Sequence, residues 1–274
     1  MSLLSKIADR LILCPSTNRI DLGENRRELI YNDGKIEIEA WVSQFGDVAN
    51  ASEENRLVVL KIGGTGGRAE RATVHPAELI VDADHDGRFD AAEVWTLNHR
   101  GYGGSSAPAS LANFTSTLEA FWSHIENLYP IETKLVTGNS LGCISALYLA
   151  RRKTVGGLQL RNPPPLHQMI RTRPKYNWWS FGASKHFANQ VPDELDSIEN
   201  AKHINCPALF VTSEKDSVVP PEYQQQIIDS FAGETRQFVI EGAEHHNLVP
   251  DHQRSDYVLA VDWLKKSLKA NSST

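Results

Sequence analysis

Among the residues of this chain, Gly138-Asn139-Ser140-Leu141-Gly142 is the group whose types and spacing point most directly to chemistry. It has the form G-x-S-x-G. The β-type run KLVTG (134–138) leads into it, and the helix-type run LGCISALYLARRK (141–153) leads out of it. A strand that turns sharply into a helix lifts a serine hydroxyl above the end of the sheet. The flanking glycines remove side chains that would clash in so tight a bend. The pattern alone would fit an inert Gly/Ser turn, but the strand-then-helix context makes Ser140 a candidate nucleophile.

A serine hydroxyl attacks poorly until a base takes its proton, and that base needs an orienting carboxylate. Serine sites on this strand–turn–helix unit run in the chain order serine, acid, histidine. Asp216 follows the apolar run PALFVTS (207–213), and His245 follows RQFVIEG (236–242), so both stand at strand ends. His245 and His246 are neighbours, so only one of them can face Ser140. His245 is the expected base and His246 the alternative. An oxyanion site needs two backbone N–H donors. One is expected from Leu141, and the other from the loop Gly63-Gly64-Thr65-Gly66-Gly67 after the run RLVVLKI. Thr65 is the expected donor there, with Gly64 as the alternative. The loop has neither G-x-x-x-x-G-K-[ST] nor G-x-G-x-x-G spacing, which disfavours a phosphate cradle.

A second motif stands apart from these. Residues 82–93, DADHDGRFDAAE, fit a twelve-residue calcium loop. The side chains of Asp82, Asp84, Asp86, Asp90 and Glu93 and the backbone carbonyl of Arg88 would be the ligands, with glycine at the sixth position. The bland reading is an acidic surface loop whose aspartates favour turns. A following helix is missing, because VWTLN reads as a strand. Calcium is therefore a candidate structural ion and not part of the reaction.

These residues need a scaffold. RELIY (27–31) and KIEIEAWV (35–42) flank Asn32-Asp33-Gly34, which predicts a leading β-hairpin. RLVVLKIG, EVWTLN, KLVTG, GGLQLR, PALFVTS and RQFVIEG read as further strands. Residues 110–128, 141–153, 221–231 and 255–270 have helical period. A hairpin followed by strand–helix alternation predicts one α/β domain over residues 1–274, a mostly parallel twisted sheet with helices on both faces.

Taken in order, GGTGG, NHRGYGGSS (98–106), GNSLG, the aspartate of SEKDSVVPP and the histidine of GAEHHNL resemble the α/β-hydrolase superfamily over about residues 25–268. Within it the chain is similar to the lipase/esterase- and serine-peptidase-like branch that includes the BEM46-like hydrolases. RGYGGS resembles that branch's R-G-x-G-x-S, and GAEH its G-A-G-H. Gly63 departs from the histidine many members carry before the oxyanion glycine, and Glu244 departs from the glycine before the histidine. The resemblance implies an α/β-hydrolase fold with a small cap, here expected in residues 163–200. Trp178, Trp179 and Phe181 of that stretch could line an acyl pocket or simply pack.

Composition sets the outer bounds. The chain has 274 residues, 41% hydrophobic and 23% charged, and a net charge of −6 without a basic run, which disfavours nucleic acid as a partner. Cys14, Cys143 and Cys206 lack metal-ligand spacing and read as reduced structural thiols. No signal peptide or membrane span is read, so a cytoplasmic protein is expected. The expected function is hydrolysis of a carboxylic ester, thioester or amide on an acyl or small-molecule substrate, with no cofactor needed. Two rivals stay open: a peptidase or amidase on the same three residues, and a calcium-responsive, non-catalytic binding protein. The oligomeric state is not legible.

Overall fold

Eight runs rich in β-branched and apolar residues form one sheet. They are β1 (Arg26–Asn32), β2 (Lys35–Gly46), β3 (Arg56–Ile62), β4 (Ala91–Asn98), β5 (Thr133–Asn139), β6 (Gly157–Arg161), β7 (Ala208–Ser213) and β8 (Thr235–Ile240). The computed structural model describes residues 3–18, 20, 25–32, 35–82, 88–106, 108–172 and 188–268. The strand order is β1-β2-β4-β3-β5-β6-β7-β8. β1 and β2 form the expected antiparallel hairpin, with Asn32 opposite Lys35, and β2 pairs antiparallel with β4. From β4 to β8 every neighbouring pair is parallel. The carboxyl ends of six strands therefore lie along one edge, the place where open α/β sheets bind ligands.

Helices cover both faces. They are α1 (Leu3–Leu13), α2 (Ala77–Asp82), α3 (Phe114–Leu128), α4 (Gly142–Arg152), α5 (Leu166–Thr172), α6 (Ser197–Ala201), α7 (Pro221–Ser230) and α8 (Arg254–Ser267). The two-residue period of the strands explains the two layers. Val58, Leu60 and Ile62 of β3 point into a core with Phe121 and Trp122 of α3 and Ile144 and Leu147 of α4. Leu57 and Val59 point the other way, to Ile80 of α2 and Val261 and Leu264 of α8. The apolar residues of the central strands thus bury their side chains on both faces, which is why those strands read as unbroken apolar runs.

The segment expected as a cap is described only at its two flanks. Residues 173–187, with Trp178, Trp179 and Phe181, lie outside the described residues. On either side of them, Leu166, Ile170, Ala188, Val191 and Leu195 join the same apolar core as α4. These flanks are built into the body of the domain. α1 was not anticipated: its eleven residues were read only for targeting signals.

Candidate active site

β5 ends at Asn139 and α4 begins at Gly142, so Ser140 occupies the turn between them, with φ at 51°. A left-handed conformation at a non-glycine residue costs on the order of 1–3 kcal/mol and persists only where the surroundings impose it. Here they do. The Ser140 N–H donates to the Arg161 carbonyl over 2.8 Å, and the Ser140 carbonyl accepts from Cys143 N–H over 2.9 Å. A Cβ at Gly138 would lie 2.6 Å from Cys143 Cα, and one at Gly142 would strike the Ile62 carbonyl. Both glycines of the G-x-S-x-G sequence are therefore required by close backbone approach.

His245 is buried and reaches Ser140. Its Nε2 stands 3.0 Å from Ser140 Oγ, and its Nδ1 stands 2.6 Å from Asp216 Oδ2. His246 is exposed and meets the His245 ring edge-on, with centroids 4.8 Å apart. Of the two histidines, the structure brings His245 to Ser140 and Asp216. Asp216 is only 2% exposed, yet each of its oxygens is occupied. Oδ1 accepts from Val218 N–H and Val219 N–H at 2.9 and 2.7 Å, and Oδ2 accepts from Gln224 Nε2 at 3.2 Å besides His245. A buried carboxylate so fully partnered avoids most of the penalty of leaving water.

Three supporting residues escaped the sequence reading. Asn162 lies just beyond β6 with φ at 48° and is fully buried. Its Nδ2 donates to the His245 carbonyl at 3.0 Å and to Ser213 Oγ at 3.1 Å, and its Oδ1 accepts from Ser213 N–H at 2.9 Å. Asparagine tolerates the left-handed region better than most residues. Its position one residue past a buried strand was the available signal. Gln224 clamps Asp216, as above. Glu244, the departure from glycine, uses Oε2 to accept from Ser217 N–H and Oγ at 3.0 and 2.9 Å, tying the histidine loop to the aspartate loop. Cys143 is no rival nucleophile: it is buried, its thiol donates to the Arg161 carbonyl at 3.2 Å, and burial pushes its pKa well up.

The glycine loop after β3 packs on the same turn. A Cβ at Gly64 would stand 3.2 Å from Ser140 Cβ. Gly66 N–H donates to the Leu13 carbonyl and Gly67 N–H to the Gly64 carbonyl, at 2.9 and 2.8 Å. The N–H groups of Gly64 and Thr65 are the remaining candidates on this loop for an oxyanion. Thr65 Oγ1 donates to the Ile12 carbonyl at 3.0 Å, so the end of α1 fixes the loop from outside.

Of the candidate calcium loop, residues 83–87, including Asp84 and Asp86, lie outside the described residues. Asp82 is the last residue of α2, and Asp90 Oδ2 accepts from Asn55 Nδ2 at 3.0 Å. The Arg88 side chain caps carbonyls at the end of α8. Glu93 is the third residue of β4, only 5% exposed, where it accepts from Gln44 Nε2 at 2.6 Å and from the Tyr129 hydroxyl. In the two-residue alternation it shares a face with Trp95, whereas α2 packs on the face of Ala92 and Val94. Glu93 therefore points to the face of the sheet opposite α2.

Comparison with known proteins bears on the fold. Residues 57–190 match the alpha/beta hydrolase fold family. The chain has the α/β-hydrolase fold. A lysophosphatidylserine lipase, ABHD12 of Danio rerio, is 28% identical over 151 residues, a match covering 50% of this chain and 38% of that protein. A Pyrococcus furiosus esterase superposes with a TM-score of 0.66 at 14% identity, covering 92% of this chain and 96% of the esterase. A Pyrococcus horikoshii acylaminoacyl peptidase gives 0.63 at 15% identity, covering 93% of this chain and 43% of the peptidase. At such identities the structural likenesses establish the fold. The chain spans well under half the length of both the lipase and the peptidase it matches. Among the described residues no helix is long and apolar enough to cross a membrane.

Proposed function

We propose that this protein is a serine hydrolase that cleaves a carboxylic ester, thioester or amide through an acyl-enzyme. The observation that carries this reading is the continuous line of hydrogen bonds from Ser140 Oγ through His245 to Asp216, with Ser140 held in a left-handed turn. His245 Nε2 removes the Ser140 proton as Oγ attacks the carbonyl carbon. Leu141 N–H and Thr65 N–H stabilise the oxyanion. Asp216 holds the proton on Nδ1 and stabilises the imidazolium. His245 then gives its proton to the leaving group, and water enters with the same histidine as base. The reaction requires no cofactor. The lipase relative makes glycerol-linked acyl esters the first substrates to try.

The test is a fluorophosphonate label together with a panel of p-nitrophenyl esters and aminoacyl anilides. Wild-type protein should label and turn over at least one ester. Ser140→Ala should not label, and its kcat should fall by about five to six orders of magnitude. His245→Ala should lose activity on that scale, while the exposed His246→Ala should lose less than about tenfold. Ester turnover that survives Ser140→Ala would end this reading.

A further inference from the structure

A cavity of about 630 Å³, within the usual size range of small-molecule sites, opens between α1 and the turn at Pro108–Ala109. Its walls are Cys14, Pro15, Pro108 and Ala109, together with Lys6, Asp9 and Arg10 of α1. Two properties define what it would take. Cys14, Pro15, Pro108 and Ala109 make much of the lining apolar. Lys6 and Arg10, four residues apart and so on one side of the helix, are both exposed. Asp9, on the same wall, is buried, and its Oδ1 accepts from Leu111 N–H at 2.9 Å, so the lining carries two cations and one anion.

The cavity wall also adjoins the glycine loop that packs on Ser140. Cys14 has φ at 47°, and its carbonyl lies 3.6 Å from where a Cβ of Gly66 would stand. Leu13 and Ile12, just before it, accept from Gly66 N–H and Thr65 Oγ1. Two residues back, Gly64 packs on Ser140. The glycine loop thus has Ser140 against one side and the cavity wall against the other.

We propose that this cavity binds an aliphatic anion, its hydrocarbon against Pro15, Pro108 and Ala109 and its charged group at Lys6 and Arg10. It thereby holds the remote end of the substrate delivered to Ser140. The second half rests on Ser140 being the nucleophile; the binding itself does not. Exposed Leu11 and Ile7, on the same helix, offer apolar surface to a chain entering from solvent.

Cys14 supplies the probe, since it is exposed while Cys143 and Cys206 are buried. In the intact Ser140→Ala protein, dodecanoate below its micelle concentration should slow N-ethylmaleimide modification of Cys14 saturably. Dodecyltrimethylammonium, with the same chain and the opposite charge, should not. Lys6→Glu combined with Arg10→Glu should weaken the protection about tenfold, the sum expected of two exposed charge contacts. Ala109→Phe, which fills the cavity without touching the charges, should abolish it. Equal protection by both amphiphiles, or protection unchanged by these variants, would overturn the site. In wild-type protein dodecanoate should inhibit ester hydrolysis competitively, at the concentrations that protect Cys14. Non-competitive inhibition would overturn the link to Ser140 and leave binding intact. Absence of fluorophosphonate labelling would instead remove the hydrolase reading while the protection assay still stood.

Discussion

The side-chain amide of Asn162 donates to the backbone carbonyl of His245, 3.0 Å away and 83 residues further along the chain. The same amide group holds both the backbone and the hydroxyl of Ser213, at the end of β7. One buried side chain thus sets the distance between the strand that leads to Asp216 and the loop that carries His245.

Asn162→Asp separates these roles. The carboxylate keeps an acceptor for Ser213 N–H but has no donor for the His245 carbonyl. The expected result is a fall in kcat of about ten- to a hundredfold with little change in KM, as for loss of a group that orients a reacting residue by about an ångström. Steady-state kinetics on the best ester, with circular dichroism to confirm folding, checks this. An equal change in KM and kcat would mean that Asn162 acts elsewhere.

Asp216→Asn has a direction fixed by its neighbours. Oδ1 accepts from two backbone N–H groups, so the new amide oxygen takes that place and its NH2 faces His245 Nδ1. A donor there forces the proton onto Nε2, where the histidine no longer accepts from Ser140. The kcat should drop about 10⁴-fold while the fold persists, the magnitude seen when this tautomer is lost. Activity within tenfold of wild type would show that the aspartate does not set the tautomer.

His99 makes the fold acid-sensitive. Its ring lies flat on Phe114, with centroids 4.0 Å apart, and among the described residues neither ring nitrogen has a hydrogen-bond partner. Burial pushes its pKa down from 6.5 to about 3. Between those values the unfolded chain binds a proton and the folded chain does not, so stability declines as pH falls through that window. Between pH 7 and pH 5, wild type should lose about 2 kcal/mol more unfolding free energy than His99→Phe. Denaturant titrations at the two pH values measure this, and parallel losses would remove the assignment.

Glu93→Gln should lower stability by about 1–3 kcal/mol, because Tyr129 and Gln44 both lean on the carboxylate. The loss should be the same in millimolar calcium and in a chelator. A larger loss in calcium would show that Glu93 reaches an ion after all.

Most of the scaffold was legible because its signals are local. The apolar run RLVVLKI, the turn at Asp33-Gly34 and the strand–serine–helix run each lie within about a dozen residues. Ser140, Asp216 and His245 were legible for the same reason, since each follows its own strand. The supporting contacts were not. Asn162, Gln224 and Glu244 are ordinary polar residues in sequence, and what they hold becomes visible only when distant strand ends meet. Glu93 belongs to two patterns at once: the local run of carboxylates counts it as a ligand, while the period of β4 turns its side chain to the face opposite α2. α1 was overlooked because amphipathic residues at an end of the chain say nothing of the glycine loop they support.

The hydrogen bond between His245 and Ser140 joins residues 105 apart in sequence. During synthesis the serine leaves the ribosome long before its base exists. The nascent chain, even with β5 and α4 formed, has no means of taking the Ser140 proton until β8 and the loop beyond it have closed the far edge of the sheet. A protein arranged this way is inert while it is being made. Contacts of such long range form late, so in refolding the return of activity should trail the return of helix signal, reporting closure of that edge and not the building of the elbow.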